Sequence, residues 1–243
     1  MRVLAVLACA ALLLAPAAGA RAQGPERPPE SYDIPDRIFQ LEKEVLDLRN
    51  RVQALQQRLD AVLGAEPAGR VQDIPLGDSP VRGNPTAPIT LVEFGDYQSD
   101  YTARAQYVVN QLLDDYPEQL RVVFKHYPLV ALHPLANEAA LTAIAADRQG
   151  LFWEMHDVLL RNSRRLEASL LLVLAQQVGL ELTQFEADRN SLWALERLSA
   201  DEKVAARLGV QGVPVFFLNG RRMETWRYDF LKAEIDKLLP GRS

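Results

Sequence analysis

Apolar residues follow a seven-residue repeat over residues 36–64. Steps of three and four alternate along the series Ile38, Leu41, Val45, Leu48, Val52, Leu55, Leu59 and Val62. This spacing places the apolar side chains on one stripe of a helix and is typical of a coiled coil. Asp36 is suited to the N-cap of that helix, and Gly64 to its end. A lone helix would leave the stripe exposed, so we expect an oligomer.

The charges beside the stripe indicate how the helices pair. With Ile38 at heptad position a, parallel chains place Arg37 against Glu42 and Glu44 against Arg49. Each exposed pair contributes only about 0.5 kcal/mol, but both pairs are attractive and favour a parallel arrangement. The apolar residue types favour a dimer and leave a trimer open. The competing hypothesis is a single helix that folds back on its own domain.

Strand-like and helix-like patterns alternate from residue 74 onward. Short apolar runs predict strands over 89–94, 120–126 and 215–218. Asn219-Gly220 follows the last run and favours a hairpin turn. Amphipathic spacing predicts helices over 103–116, 134–149, 152–160, 168–178, 193–208 and 228–239. This order predicts an α/β domain over 74–243, with a helical insert at about 134–208.

The first 35 residues have a different composition. Arg2 precedes an apolar run over 3–14, and small residues lie ahead of Gln23, which predicts a cleaved signal peptide over 1–22. A polar, proline-rich segment over 23–35 leads to the heptad helix, and 65–73 reads as a linker. No later apolar stretch reaches the length of a membrane span. We therefore expect a periplasmic or secreted protein with no membrane span after signal removal.

Charge and cysteine content exclude several classes of function. The chain carries 27 basic and 32 acidic residues, a formal net charge of −5, which argues against a nucleic-acid partner. Its single cysteine, Cys9, lies in the predicted signal peptide. The mature protein would then contain no disulfide and no redox-active thiol.

The remaining polar candidates predict little chemistry. The three histidines, at positions 126, 133 and 156, lack the spacing of metal ligands. We therefore expect no metal and no cofactor. The pairs Arg164-Arg165 and Arg221-Arg222 are expected to be solvated rather than to form an anion site.

Several motifs occur in a characteristic order within the alternating region. They are DSPV over 78–81, GNPTAP over 83–88, VEFGDYQ over 92–98, GLFWEMHD over 150–157 and GVPVFF over 212–217. Over about 76–239 the chain resembles the disulfide oxidoreductases and isomerases of the DsbA type. The resemblance implies a thioredoxin-like fold with an inserted helical subdomain. It also implies that Val213-Pro214 is a cis-proline loop whose backbone pairs with an extended peptide.

One feature departs from that family. Its catalytic Cys-x-x-Cys motif is replaced here by Ser99, Asp100, Tyr101 and Thr102. A helix N-terminus activates a thiol by lowering its pKa, but a hydroxyl forms no disulfide, so the resemblance does not carry catalysis. Glu93 matches an acid that assists proton transfer in the family. Without thiols it is either a leftover or a hydrogen-bond partner of the Ser99 or Thr102 hydroxyl.

These observations favour a non-catalytic, oligomeric, chaperone-like protein. Its peptide groove would be lined by Val213, Pro214, Ser99 and Thr102, and its partners would be unfolded or extended polypeptides or one envelope protein. One alternative is a glutathione-dependent transferase or isomerase in which Ser99 stabilises a thiolate, although the Asp100 carboxylate opposes an anion there. Another alternative is a subunit that docks onto a cysteine-bearing disulfide oxidoreductase and modulates it.

Overall fold

The computed structural model describes Leu41, Glu44, Leu48 and Arg51 together with residues 71–239. In chain order the elements of the second region are β1 (Val81–Gly83), β2 (Ile89–Gly95), α1 (Asp100–Asp115), β3 (Leu120–His126), α2 (Ala136–Asp147), α3 (Phe152–Arg161), a 3-10 turn (Ser163–Arg165), α4 (Ala168–Gln177), α5 (Leu182–Arg189), α6 (Leu192–Arg207), β4 (Val215–Leu218), β5 (Arg221–Arg222) and α7 (Tyr228–Asp236).

The strands form one mixed sheet in the order β1-β3-β2-β4-β5. The central pair β2 and β3 is parallel, because the chain crosses over through α1, and the other pairs are antiparallel. Asn219 and Gly220 join β4 to β5 with φ angles of 45° and 80°. Positive φ at both positions is the geometry of the tight hairpin turn that the sequence predicts.

Both faces of the sheet are covered. On one face α1 and α7 pack through Ala105, Val109, Leu112, Leu231 and Ile235 against the strand residues Leu91, Val122 and Phe216. The other face carries Val92, Phe94, Val123 and Phe217, which pack with Ala205 of α6. Two buried faces explain why apolar residues occupy successive positions in β2 and β3, as at Leu91-Val92 and over 122–124, rather than alternate ones.

The helical insert lies between β3 and β4 and has its own apolar core. Residues of α2, α3, α4 and α5 meet there, with Phe152, Met155, Leu171 and Phe185 among the buried side chains. Phe124 of β3 belongs to the same cluster. The insert is therefore packed against the sheet beside the end of β2, where the predicted site lies.

A buried ion pair ties the last helix of the insert to the sheet. Lys125 Nζ on β3 lies 2.8 Å from Asp201 Oδ1 on α6, and both side chains are almost completely buried. Lys125 also donates to Ser79 Oγ at 2.8 Å, and Asp201 Oδ2 accepts from the His126 backbone N–H at 3.0 Å. These extra hydrogen bonds are what make a buried pair tolerable, since desolvation of the two charges is costly.

Three differences from the predicted elements stand out, while other helix ends shift by up to three residues. Helix α1 begins at Asp100 rather than 103, because Ser99 caps it. Helix α5 was absent from the prediction: its eight residues contain few apolar positions, and the Glu181 side chain caps it. Strand β1 is three residues long and follows a proline, so only its pairing with β3 identifies it.

Contacts with the domain begin three residues before the predicted boundary at 74. Val71 pairs with Arg221, and the Gln72 N–H donates to the Gly220 carbonyl at 2.8 Å. The predicted signal peptide, the proline-rich segment and residues 65–70 of the linker lie outside the described residues.

Four residues of the heptad segment are described, and all four are helical and exposed. Leu41 is 44% exposed and Leu48 is 58% exposed. Within the described part of the chain these two members of the stripe therefore remain accessible. The stripe residues Ile38, Val45, Val52, Leu55, Leu59 and Val62 lie outside the described residues, and the oligomer stays a prediction.

Candidate functional site

Ser99 and Thr102 lie at the corner between β2 and α1, as the sequence predicts. Ser99 is the N-cap of α1, and its Oγ accepts from the Thr102 backbone N–H at 3.3 Å. Thr102 Oγ1 in turn accepts from the Asp96 backbone N–H at 3.3 Å. Both side chains are buried. The two hydroxyls thus satisfy backbone donors at the turn and at the helix N-terminus, where such donors are otherwise left open.

Asp96 organises the turn that leads into the helix. Its buried carboxylate accepts from the Gln98 N–H at 2.7 Å and from the Leu129 N–H at 2.8 Å. The same carboxylate lies 2.8 Å from His133 Nδ1. A further bond, from the Leu135 N–H to Gln98 Oε1 at 2.6 Å, fastens the same loop. Residues 129–135 are therefore held against the corner by hydrogen bonds to both Asp96 and Gln98.

The middle residues of the corner point toward solvent. Tyr101 is 61% exposed, and Asp100 Oδ1 and Oδ2 both lie 2.9 Å from Arg164 Nε. The hydrogen bond from Arg164 holds the pKa of Asp100 below its ordinary value, so the carboxylate is ionised at neutral pH. An ionised carboxylate at this position disfavours a thiolate beside Ser99.

The proline loop lies at the same edge of the sheet as the corner. The Val213–Pro214 peptide bond is cis, as the resemblance implies. Phe94 on β2 pairs with Val215 on β4, so Pro214 falls level with Gly95, just before the chain turns toward Ser99. Gly212, Val213 and Pro214 are all half-buried. Topology therefore brings Ser99, Thr102, Val213 and Pro214 to one edge, but Ser99 and Thr102 are only 4% and 0% exposed, so the accessible surface there belongs to the proline loop.

Gly95 is the last residue of β2 and has a steric reason to be glycine. A Cβ at this position would lie 2.6 Å from Phe124 Cε2 and 2.8 Å from Thr102 Cγ2. Such distances are too short for carbon atoms in contact, so a side chain would displace Thr102 or the Phe124 ring. The close approach lets the corner pack directly on the ring.

Behind the corner, two buried polar side chains lack partners. Glu93 Oε1 and both ring nitrogens of His126 have no hydrogen-bond partner among the described residues. Burial raises the pKa of Glu93 to about 8 and lowers the pKa of His126 to about 4. Both groups are therefore largely neutral at pH 7.

A second buried group beside these two is fully hydrogen-bonded. Tyr97 Oη lies 3.1 Å from His156 Nδ1, and His156 Nε2 lies 2.9 Å from Gln106 Oε1. An amide oxygen only accepts, so Nε2 carries the proton and Nδ1 accepts from the Tyr97 hydroxyl. Burial holds the pKa of His156 well below its ordinary value, which agrees with this neutral tautomer.

Several residues of the site were not anticipated from sequence. Asp96 and the loop it anchors form part of the corner, and that loop exposes Val130 and Leu132 (56% and 72%). The sequence signal that could have indicated this loop is the occurrence of Val130 and Leu132 in a short segment bounded by Pro128 and Pro134. Glu93, by contrast, lies where it was expected, on the buried strand before the corner.

Comparison with known proteins settles the family. The sequence profile described as the DSBA-like thioredoxin domain matches residues 90–236, more than half of the chain. The chain belongs to the DSBA-like thioredoxin domain family. The resemblance drawn from the sequence motifs is thereby confirmed, as is the α/β fold with its helical insert.

Two solved structures illustrate the similarity of this DsbA-like domain to known proteins. A thioredoxin-like oxidoreductase from Silicibacter pomeroyi is 28% identical, with a TM-score of 0.59 over 66% of this chain and 91% of that one. BdbD from Bacillus subtilis, in its oxidised form, is 20% identical, with a TM-score of 0.64 over 72% of this chain and all of that one. At 20% identity the likeness to BdbD shows the fold alone.

A curated relative places a similar region inside a larger protein. The Na(+)/H(+) antiporter NhaA 1 of Salinispora arenicola is 38% identical over 162 residues, which cover 66% of this chain. The chain spans about a quarter of that relative's length. In the described residues of the present chain, no helix is both long enough and apolar enough to cross a membrane.

Proposed function

We propose that this protein is an exported member of the DsbA-like family that binds extended polypeptides without thiol chemistry. The observation that carries the proposal is the state of the corner. The two side chains in the cysteine positions serve as backbone caps, while apolar side chains around them stay exposed. The corner retains its strand-to-helix turn and is surrounded by exposed apolar side chains, those of Tyr101, Val130 and Leu132, which we call the apolar rim. It carries no sulfur atoms that could transfer electrons.

The side chains at the corner support the proposed absence of redox chemistry. Ser99 and Thr102 present oxygen where a disulfide needs sulfur, and Cys9, the sole cysteine of the chain, lies far outside the domain sequence. An oxygen nucleophile at Ser99 is also disfavoured, because its Oγ is buried and accepts a backbone hydrogen bond. The ionised Asp100 beside it opposes the glutathione thiolate that the alternative hypothesis requires.

The apolar rim supports peptide binding. Tyr101 projects from the first turn of α1, and Val130 and Leu132 project from the loop that Asp96 and Gln98 fasten to the corner. Three large apolar side chains, each more than half exposed around one corner, form the kind of patch that marks interaction sites. An unfolded polypeptide offers apolar side chains that such a rim can bury.

The proline loop supplies the backbone side of the proposed groove. Gly212 and Val213 lie beside the corner, just before β4, and remain partly accessible. A peptide that hydrogen-bonds to this backbone would run as an extra strand, with its side chains over the apolar rim. Backbone pairing is independent of side-chain identity, which suits a protein that binds many unfolded chains.

The oligomer and the export signal complete the proposal. The heptad repeat would join two chains in parallel, with a trimer as the open alternative, and Leu41 and Leu48 carry the exposed stripe that needs a partner. The predicted signal peptide would place the assembly in the periplasm or outside the cell. Paired domains would hold one polypeptide at two grooves and so raise its affinity.

The rim is tested by suppression of aggregation. We expect the wild-type protein to slow the aggregation of a reduced, unfolded client such as insulin B chain. The double variant Tyr101→Ser/Leu132→Ser should lose most of this effect, because it removes two apolar anchors of the rim. The control Leu192→Ser/Leu195→Ser removes two comparably exposed side chains from α6 and should act as wild type. Equal loss in both variants would mean that general surface hydrophobicity, not the corner, binds the client.

The predicted coiled coil over 36–64 is tested by light scattering. Leu48→Asp/Val52→Asp places like charges in adjacent layers of the stripe, and each buried unpaired charge costs several kcal/mol. A coiled coil of about four heptads should then dissociate at micromolar concentration, while the melting temperature of the globular domain stays unchanged. A mass that stays that of the parent would assign the interface to the globular domain. A domain that unfolds would show that the helix packs on its own core.

A further inference from the structure

A cleft of about 450 Å³ opens between α1 and the end of α3, on the side of α1 away from the sheet core. One wall is formed by residues 103, 107 and 110 of α1, at the spacing of a single helix face. The other wall is formed by Leu160, Arg161 and the 3-10 turn that follows. Its volume is in the range of ligand-binding pockets.

The walls of the cleft carry an excess of positive charge. Arg164 is paired with Asp100, and Asp157 is paired with Arg82. Arg104, Arg161 and Arg165 also line the cleft, and none of the three has a carboxylate partner among residues 71–239. Three guanidinium groups with no carboxylate at ion-pair distance among the described residues thus line one cleft of a protein whose net charge is −5, although the Arg104 charge also acts on Asp100.

Apolar surface lies beside these charges. The Tyr107 ring is 77% exposed on the α1 wall, and Ala103 lies one turn before it. Guanidinium groups bind carboxylates through paired hydrogen bonds, and an exposed ring next to them can pack on an apolar or aromatic side chain. The lining therefore fits a ligand that alternates negative and apolar groups.

We infer that this cleft binds an acidic, extended peptide segment of a partner protein. Side chains at alternate positions of an extended peptide lie about 6–7 Å apart on one face, so two or three carboxylates can reach separate arginines. The net negative charge of the protein would disfavour non-specific association of an acidic partner and so favour its binding at the cleft. The inference does not rest on the proposed groove at Ser99 and Pro214.

Titration calorimetry with synthetic peptides tests the inference on the full chain. The probe is the peptide EYEAE, acetylated and amidated at its ends, and its neutral match is QYQAQ. We expect EYEAE to bind at least about tenfold more tightly than QYQAQ, and to weaken several-fold when NaCl rises from about 50 to about 500 mM. Equal affinity for the two peptides would overturn the inference.

Variants assign the binding to the cleft. Arg104→Gln/Arg161→Gln should reduce the affinity for EYEAE to that for QYQAQ, with an unchanged melting temperature because both side chains are exposed. Arg222→Gln/Arg227→Gln removes the same charge elsewhere and should bind as wild type does. Arg161→Glu alone should weaken binding further than Arg161→Gln. Retained affinity in the Arg104→Gln/Arg161→Gln variant would contradict the assignment.

Two further measurements distinguish a peptide in the cleft from a peptide at the corner and from a small anion in the cleft. Tyr101→Ser/Leu132→Ser should bind EYEAE as wild type does, and loss of binding there would place the peptide at the corner instead. Citrate at the same concentrations should bind more weakly than EYEAE. If citrate binds and EYEAE does not, the cleft takes a small anion and the assignment to a peptide is wrong.

Discussion

Buried polar side chains at the corner between β2 and α1 differ from those in the layer directly behind it in whether they have hydrogen-bond partners. At the corner, Asp96, Ser99 and Thr102 are buried, and each accepts a hydrogen bond from a backbone N–H. Behind it, Glu93 and His126 are just as buried, yet polar atoms of both lack partners among the described residues. The turn is thus built from hydrogen-bonded hydroxyl and carboxylate groups, whereas the layer behind it contains unsatisfied polar atoms.

The family offers a reason for that layer. The resemblance assigns Glu93 to an acid that assists proton transfer beside the redox cysteines. With oxygen in place of sulfur, the acid has no proton to move, and it retains the cost of burying an unpaired carboxyl group. We therefore expect the hydrogen-bonded corner to contribute stability and the unpaired Glu93 to lower it. Four variants test this contrast, the largest expected effect first.

Restoring the thiols should restore chemistry. Ser99→Cys/Thr102→Cys with Asp100→Pro places a thiol at the N-cap of α1 and removes the carboxylate beside it. Proline suits the first helical position, and the helix N-terminus lowers the thiol pKa. We expect oxidation of a dithiol peptide well above the background of the wild-type protein. The single variant Ser99→Cys is the control, since it cannot close an internal disulfide. An inert restored pair would show that the corner geometry has also diverged.

Removal of the corner's acceptor should destabilise the domain. Asp96→Ala leaves two part-buried backbone N–H groups and the partly exposed His133 ring without their acceptor, at about 1–3 kcal/mol for each group left unsatisfied. We expect a loss of about 3–5 kcal/mol in urea unfolding. Asp100→Ala, an exposed carboxylate in the first turn of α1, should leave the midpoint unchanged. A small effect of Asp96→Ala would mean that water replaces the carboxylate and the corner is not held by it.

Replacement of Glu93 should stabilise the domain at alkaline pH. The Glu93 pKa is about 8 in the folded protein against 4.5 in the unfolded chain. Between these values the folded state holds a proton that the unfolded state has released, so stability falls as pH rises. Glu93→Gln should remove that slope and raise the unfolding free energy at pH 8 by about 2–4 kcal/mol, with little change at pH 4.5. Glu224→Gln, at an exposed position, is the control. A flat wild-type profile from pH 5 to 8 would refute the cost assigned to Glu93.

His126 should lower the stability of the domain at acidic pH. The His126 pKa is about 4 in the folded protein against 6.5 unfolded, so the unfolded state binds the extra proton and stability falls as pH drops from 6.5 toward 4. His126→Phe should reduce that loss by about 2 kcal/mol at pH 4.5. His156 retains a dependence of the same sign, so the slope should shrink rather than vanish. At pH 7 both proteins should be similar, and a large difference there would indicate a packing effect.

Much of the fold was predictable because its signals are local. The strand over 120–126 and the turn at Asn219-Gly220 were predicted at their observed positions, since a buried strand is a short apolar run and this turn has its own residue preference. Helix α5 was missed because its sequence is mostly polar and its stability comes from packing within the insert. Local pattern thus predicts elements that carry their own signal and misses those made by their neighbours.

The same distinction between local signals and long-range contacts applies to the residues of the site. Ser99, Thr102 and Pro214 were predictable, because motifs of the family surround them in sequence. Asp96 and the loop at 129–135 were not, because their contact spans more than thirty residues of chain. The same holds for Arg104 and Arg161, which only the packing of α1 against α3 brings to one cleft.

The sequence by itself determined the α/β order, the hydroxyl side chains at the Cys-x-x-Cys positions and the buried position of Glu93. These depend on residue type and on near neighbours along the chain, and both can be read directly. Only the tertiary structure decided which buried groups have partners, where apolar side chains surround the corner, and how the arginines gather. Those properties depend on distances between residues far apart in sequence, and such distances exist only once the sheet and the insert have packed together.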